Sequence, residues 1–247
     1  MDLNIGDTVT VDIGNIANGG HFVSRYNNQI VFVRHGISGE IANVKITAIN
    51  SKFAFGDAVE ILKSSKDRVE APCQYSHPEG CGGCDFQHIN PIAQSNLKKK
   101  VIEEQFKRIT KIEVDPEIIS IEPLNGLNWR SRLNLAISDK GKVGLHVYRS
   151  NKIIEINKCL IALEEINDSE IFSKKWDQKD NIKISYSSED DISISQLGQK
   201  ISGSEYLKEN VEGNKYSISP ESFWQSHKNA PKLLLQQVIK LAEIKQG

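Results

Sequence analysis

The stretch CQYSHPEGCGGC, residues 73–84, contains the side chains of this sequence that are best suited to metal binding or covalent chemistry. It contains three of the four cysteines, and the fourth, Cys159, lies far along the chain. Thiolates bind soft metals, form disulfides or act as nucleophiles, so the pattern allows several kinds of chemistry. A disulfide framework is disfavoured because nothing in the sequence indicates an oxidising compartment.

A metal site is the favoured interpretation of the four cysteines. Four thiolates suit a closed tetrahedral zinc site and equally a [4Fe–4S] cluster, so the ligand count leaves both metals open. His77, inside the same stretch, is a further candidate ligand for zinc. The wide gap between the first two cysteines differs from the spacing of radical enzymes that use S-adenosylmethionine (SAM). A cluster closed by four thiolates is structural or sensory rather than catalytic.

The composition is that of an ordinary globular protein, with 38% hydrophobic and 26% charged residues. The first residues lack the pattern of a secretory signal, and no apolar run reaches the roughly 18 residues of a membrane helix. We therefore expect a cytoplasmic monomer that does not enter a membrane. Residues 95–160 are rich in Lys and Arg, whereas residues 161–213 are acidic, which is compatible with one surface that faces a polyanion.

The first segment, residues 1–64, has the alternating pattern of a small β-barrel. TVTVDI alternates polar and apolar residues with the period of a half-buried strand. HFVSR and QIVFVR flank the turn YNN, and EIANVKITAI and DAVEIL supply further strands. Five short strands predict a closed barrel, with HGISG and KFAFG as the connecting segments.

The rest of the chain mixes helix and strand patterns, which makes the predicted fold class α+β. The second segment, residues 65–215, contains the cysteine stretch, a helix over NPIAQSNLKKKVIEEQFKRITK, strands around a DKGK turn, and later strands NIKISYS and ISISQL. The third segment, residues 216–247, contains a turn and a helix that begins near Pro231. Each segment is predicted to be a separate part of the fold.

These motifs resemble, in order, those of the RNA (uracil-5-)-methyltransferases that act on ribosomal or transfer RNA. The opening IGDTVTVDIGNIANGGHFVSRYNNQIVFVRHGISGE is similar to a TRAM domain, a small OB-like RNA-binding barrel. RVEAPCQYSHPEGCGGCDFQHI resembles the family's iron–sulfur loop, and NWRSRLNLAI with GKVGLHVYRSNKIIEINKC resembles its mixed α/β central domain. SPESFWQSH resembles the segment at the entry to the family's SAM-binding domain.

The resemblance implies a [4Fe–4S] cluster, and it implies a SAM-proximal role for Gln225. The cluster ligands would be Cys73, Cys81, Cys84 and Cys159.

The resemblance also implies a SAM-binding domain with a doubly wound, Rossmann-like sheet and a glycine-rich turn after its first strand. After Gly213 the only glycine is Gly247, so we expect only the truncated start of that domain, and SAM as a cofactor only in a full-length form. Methylation of uracil C5 needs a thiolate that adds to C6. If all four cysteines bind the cluster, none remains, so we expect no catalytic residue in this chain.

Basic and aromatic side chains in two places are the candidates for contact with RNA. Arg25 and Arg34 flank the predicted barrel hairpin, and Phe32 lies between them on a strand whose alternation favours the core for its ring. Arg130 and Arg132 project from one face of a later strand and are candidates for phosphate contacts. We therefore predict the N-terminal part of a SAM-dependent RNA uracil-C5 methyltransferase. The alternative is a stand-alone RNA-binding iron–sulfur or zinc protein without catalysis.

Overall fold

A computed structural model of the chain describes residues 3–177 and 180–243, and it divides the chain into two units, residues 1–119 and 120–247. The outer ends of the predicted first and third segments, including Gly247, lie outside the described residues. The cysteine stretch belongs to the first unit. The predicted segment boundaries near residues 64 and 215 stay predictions.

The first unit is built on the five-stranded sheet that the alternating patterns predict. Its strands pair in the order first, fourth, fifth, third, second, and only the third and fifth run parallel. The segment after the first strand bonds to the second strand, since Gly14 N–H donates to Val23 O (2.9 Å) and Val23 N–H donates to Asn15 O (2.8 Å). These bonds join the two edges of the sheet and close it, as expected for a small barrel. The strands are β1 (Thr8–Asp12), β2 (Phe22–Tyr26), β3 (Gln29–Arg34), β4 (Ile41–Ile49) and β5 (Phe53–Lys63).

The stretch KFAFG, predicted as a connecting segment, instead forms the first half of β5. Ala54 is fully buried in the barrel, whereas Phe53 and Phe55 point to the other face. Gly56 lies opposite β4, where a Cβ atom would be only 2.8 Å from Lys45 O. The glycine is therefore explained by the close approach of two strands rather than by a turn.

The predicted helix of the first unit is confirmed as α1 (Pro91–Thr110). Asn90 caps it, because its side-chain oxygen accepts from Ala93 N–H (2.9 Å), and proline occupies the first position. Ala93 and Leu97 join the barrel core. Four other apolar side chains of the helix are exposed: Ile92, Ile102, Phe106 and Ile109.

The second unit contains a six-stranded antiparallel sheet and a two-stranded hairpin. The turn at DKGK joins β6 (Arg132–Ile137) to β7 (Val143–His146) as predicted, with Ser138 N–H donating to Lys142 O (2.8 Å). Four short elements were not predicted: β11 (Gln199–Gly203), β12 (Leu207–Val211), β13 (Asn214–Ile218) and the helix α2 (Glu164–Asn167). The sheet comprises β6 (Arg132–Ile137), β7 (Val143–His146), β8 (Ile153–Glu155), β9 (Ile182–Tyr186), β10 (Ile192–Gln196) and β11 (Gln199–Gly203). The hairpin is β12 (Leu207–Val211) with β13 (Asn214–Ile218).

Two helices complete the second unit, α2 (Glu164–Asn167) and α3 (Ala230–Leu241). The core beneath the sheet is made of aliphatic side chains from β6 and β9, such as the fully buried Leu135 and Ile184. α3 confirms the predicted terminal helix, although its apolar residues Leu234 and Val238 are exposed. That this region begins a Rossmann-like domain stays a prediction. No helix of the described ranges has both the length and the apolar character needed to cross a membrane.

Candidate nucleic-acid interface and cysteine loop

The outer face of the barrel carries a cluster of three aromatic rings, Phe32, Phe53 and Phe55. In the parallel pairing of β3 with β5, Phe32 lies opposite Phe55, and the three ring centroids are 5.3 to 5.6 Å apart. The prediction that Phe32 belongs to the core was wrong, because Val31 and Val33 on either side of it fill the interior. All three rings are half-buried, so part of each ring's surface faces solvent.

Phe53 and Phe55 were missed in the sequence because KFAFG had been interpreted as a connection. Two phenylalanines spaced by one residue have the period of a strand, and this was the available signal. Aromatic side chains on a barrel surface are suited to stacking on the bases of a single-stranded nucleic acid.

Arg25 and Arg34, both predicted RNA contacts, have different environments. Arg25 lies exposed on β2. Arg34 is buried, with its side chain 8% exposed, and its Nη2 lies 3.1 Å from Asp85 Oδ1. Because the guanidinium of Arg34 is shielded and paired with a carboxylate, its burial weighs against a phosphate contact, whereas Arg25 is accessible to one.

The barrel holds the cysteine loop, residues 73–88, through two ion pairs. Arg34 pairs with Asp85, next to the last cysteine of the loop, and Lys45 pairs with Glu79 (2.6 Å). The second pair is exposed and contributes little stability, at most about 1 kcal/mol. Basic groups that the barrel could have offered to RNA on this side are thus occupied by carboxylates of the loop.

A buried carboxylate, Glu40, fastens the segment that leads into the loop. It accepts hydrogen bonds from Arg68 Nε and Nη2 (both 2.6 Å), Ser65 N–H (3.0 Å) and Ile37 N–H (2.9 Å). Burial acts to raise the pKa of Glu40, but these hydrogen bonds and the charge of Arg68 outweigh burial and lower the pKa. Glu40 is therefore ionised in the fold and connects the barrel to residues 65–68.

Two buried histidines next to this network make the first unit sensitive to acid. Burial lowers the pKa of His35 to about 3 and that of His88 to about 4, with smaller contributions from nearby charges. An unfolded chain has a histidine pKa near 6.5, so it binds more protons than the fold below that pH. We expect stability to be complete above about pH 6.5 and to fall towards pH 4, by on the order of 1 kcal/mol per pH unit for each histidine.

Urea unfolding followed between pH 7.5 and 4.5 measures this dependence. The double variant His35→Gln/His88→Gln should flatten the pH dependence, whereas the exposed His146→Gln should leave it unchanged. An unaltered slope in the double variant would contradict the prediction.

The cysteine loop has a backbone N–H group directed at a cysteine sulfur, as is suitable for a thiolate that binds a metal or cluster. Gly83 N–H lies 3.4 Å from Cys81 Sγ, and backbone N–H groups directed at sulfur favour the thiolate. Gly80 permits the tight turn before Cys81, because a Cβ atom there would collide with Tyr75 O. Cys73 is positioned by a bond from its N–H to the side chain of Gln87 (3.2 Å).

The ligand geometry itself is not assembled in the part of the chain that the structure describes. The three loop cysteines are half-buried, Cys159 of the second unit is buried, and none of the four forms a disulfide. Among residues 3–177 and 180–243, no three His, Cys, Asp or Glu side chains are grouped so that they could hold a metal ion. The four cysteines thus fit a cluster by donor type, and the cluster stays a prediction.

Cys159 is fixed within the second unit by an amide side chain. Its N–H donates to Asn167 Oδ1 (2.9 Å), and its carbonyl accepts from Asn167 Nδ2 (3.0 Å). Asn167 is the last residue of α2, so this unpredicted short helix determines the backbone position of the fourth cysteine.

Arg130 and Arg132 lie at the start of β6, where they contact the backbone. Arg130 Nε donates to Arg132 O (3.0 Å), and its guanidinium lies 5.8 Å from the ring centroid of Trp129. Arg132 Nη1 donates to Ser222 O (2.9 Å). In the structure Arg132 therefore attaches the backbone at Ser222 to the start of β6, so its predicted contact with RNA phosphate competes with this role.

Gln225 lies three residues after Ser222, whose carbonyl accepts from Arg132. One residue further on, Ser226 O accepts from Ser131 N–H (2.7 Å), and His227 stacks on Trp129 with ring centroids 5.2 Å apart. Gln225 is half-buried and lies between the attachments at Ser222 and Ser226. These contacts fix the backbone next to the start of β6, and they therefore fix the position of Gln225.

The sequence of this chain is similar to a known domain family and to several known proteins. Residues 2–59 match the TRAM domain family. An uncharacterized RNA methyltransferase from Streptomyces coelicolor is 31% identical, over 95% of this chain and 60% of the relative. One from Streptomyces avermitilis is also 31% identical, over 95% of this chain and 64% of the relative.

A solved structure has a similar fold. The tRNA (uracil-54, C5)-methyltransferase of Pyrococcus abyssi, in complex with S-adenosyl-L-homocysteine, superimposes with a TM-score of 0.64 at 18% identity. The superposition covers 96% of this chain and 65% of that protein. This chain spans about 60% of the length of the Streptomyces relatives. The matches run along nearly all of this chain, and the expectation that a catalytic domain is absent is not confirmed.

Proposed function

We propose that this chain, which belongs to the RNA methyltransferase family and carries a TRAM domain, binds single-stranded RNA through the outer face of its barrel. The observation that carries the proposal is the exposed Arg25 on the same small barrel as the cluster of Phe32, Phe53 and Phe55. An arginine can neutralise a phosphate while half-buried rings stack on bases, and together these are the two parts of single-strand recognition.

We further propose that the bound RNA is a ribosomal or transfer RNA and that the reaction served is SAM-dependent methylation of uracil C5. This chemistry needs a nucleophile at C6, a methyl donor near C5 and a base that removes the C5 proton. No residue of this chain is assigned to the nucleophile or the base. Its contribution is the binding and orientation of RNA, and the placement of Gln225 on a fixed segment towards a SAM site.

The iron–sulfur cluster is part of the same proposal. Cys73, Cys81, Cys84 and Cys159 would hold it, and four thiolates from the protein leave it coordinatively closed. What supports it is the spacing of the cysteines and the N–H group of Gly83 directed at Cys81 Sγ. Its contribution is structural, and no step of methyl transfer is assigned to it.

RNA binding by the 247-residue chain tests the proposal directly. Fluorescence anisotropy with a labelled single-stranded RNA of about twelve nucleotides should give saturable binding that weakens as salt rises. Phe53→Ala and Phe55→Ala should each weaken binding roughly tenfold, because each removes a stacking surface. Phe106→Ala is a matched control, since Phe106 is an exposed phenylalanine on α1 of the same unit.

The outcomes separate clearly. Wild-type affinity in both barrel variants, or the same loss in Phe106→Ala, would show that the aromatic cluster does not bind RNA. Absence of RNA binding by the wild-type chain at low salt would overturn the proposal altogether.

A further inference from the structure

A groove of about 830 Å³ lies in the first unit between the segment after β1 and helix α1. Its floor is formed by β2 and β3, including Arg25 and one edge of the aromatic cluster at Phe32. Arg108 of α1 lines the opposite wall. The volume is within the range of about 300 to 1,000 Å³ that is usual for small-ligand pockets.

One wall of the groove is fixed by the backbone. Residues 14–18 follow β2 closely, since Gly14 bonds to Val23 and a side chain at Gly14 would collide with Val23 O. On the other wall Arg108 Nη2 donates to Gln105 Oε1 (2.8 Å), within the same exposed face of α1.

The charged groups in the groove are balanced. Arg25 and Arg108 face two carboxylates, Asp12 and Glu104, and within the described residues neither arginine forms a salt bridge with either one. Two unpaired guanidinium groups suit the oxygens of one phosphate, because each can donate two parallel hydrogen bonds. A lining with no net charge does not suit a long run of phosphates.

The remaining polar groups suit a nucleobase. Carboxylates accept from the N–H groups on base edges, and the amides of Asn15 and Asn18 on the first wall can both donate and accept.

We propose that this groove binds one nucleotide of single-stranded RNA, with its phosphate between Arg25 and Arg108 and its base against Phe32. This inference rests on the proposed function and adds a defined subsite to it. It also adds Arg108, a helix residue outside the TRAM match at residues 2–59, to the RNA-binding surface.

The experiment compares single arginine variants of the full chain in the anisotropy assay. Arg25→Ala and Arg108→Ala should each bind RNA about tenfold more weakly, since each loses a charge-assisted phosphate contact. Each should also reduce the slope of log affinity against log salt by about 0.7. Lys63→Ala and Lys100→Ala remove an equal charge from exposed positions of the same unit and should leave both quantities nearly unchanged.

Crosslinking provides a second measurement that does not depend on substitutions. A 4-thiouridine RNA irradiated with the wild-type chain should crosslink within residues 14–32 or at Glu104, Gln105 or Arg108. Labelling confined to other peptides would overturn the groove assignment, as would wild-type binding by Arg108→Ala. RNA binding at wild-type strength in Arg108→Ala leaves the proposed function standing, whereas a wild-type chain that binds no RNA removes both.

Discussion

Replacing Glu40 with alanine should destabilise the first unit by about 3 to 5 kcal/mol. The side chain is fully buried and accepts four hydrogen bonds, two of them from Arg68. The variant leaves the guanidinium of Arg68 without its carboxylate and the N–H groups of Ile37 and Ser65 without an acceptor. The cost of unpaired buried groups exceeds the net value of the bonds themselves.

The two units can be followed separately in this experiment. All three tryptophans, Trp129, Trp176 and Trp224, belong to the second unit, so their fluorescence reports on that unit alone. Hydrogen exchange of peptides from the barrel strands then measures the first unit. We expect faster exchange in the barrel and an unchanged tryptophan transition.

Substitution of an exposed glutamate of the same unit shows whether the burial of Glu40 causes the loss of stability. Glu60 on β5 is exposed, and within the described residues its side chain accepts only from Asn43 (2.6 Å), so Glu60→Ala should cost less than about 1 kcal/mol. Equal effects of the two substitutions would contradict the assignment of Glu40 as the residue that fastens residues 65–68 to the barrel.

The barrel could be predicted because its information is local. Alternation along TVTVDI and QIVFVR specifies which face of each strand is buried, and the pattern survives in the fold as buried Val9, Val11, Val31 and Val33. The glycine of KFAFG could not be explained in the same way, since it is required by the close approach of β4. A close contact between β4 and β5 is a property of tertiary structure, and five residues of sequence do not contain it.

The roles of the arginines were harder to predict for a similar reason. Arg34 and Arg132 have the sequence surroundings of surface cations, but the fold uses one to pair with Asp85 and the other to hold Ser222 O. Both partners are more than fifty residues away in sequence. Arg25 is exposed as expected, and Arg108 was not predicted as a binding residue, because its position opposite Arg25 depends on how α1 packs on the barrel.

The apolar face of α1 illustrates the limit of periodicity. Helical spacing correctly identified the helix, but Ala93 and Leu97 alone account for its fully buried positions. Periodicity reports which residues share a face of a helix, and burial depends on what that face meets in the fold.

Replacing Cys81 with serine should remove nearly all the iron from the chain, and this is the sharpest test of the cluster. The wild-type chain purified without oxygen should contain about four irons and four sulfides and absorb in the visible range. A serine oxygen is a poor ligand for a cluster that prefers thiolates. The substitution also removes the sulfur to which Gly83 N–H is directed.

A control within the same loop separates ligation from loop folding. Ser76 N–H bonds to Cys73 O through the backbone alone, so Ser76→Ala should keep the loop and its iron. Retention of iron in Cys81→Ser would exclude this cysteine as a ligand. One zinc and no sulfide in the wild-type chain would contradict the cluster and indicate a structural zinc site. This result would leave the RNA-binding proposal unchanged, because RNA binding on the barrel depends on Arg25 and the aromatic rings rather than on the thiols.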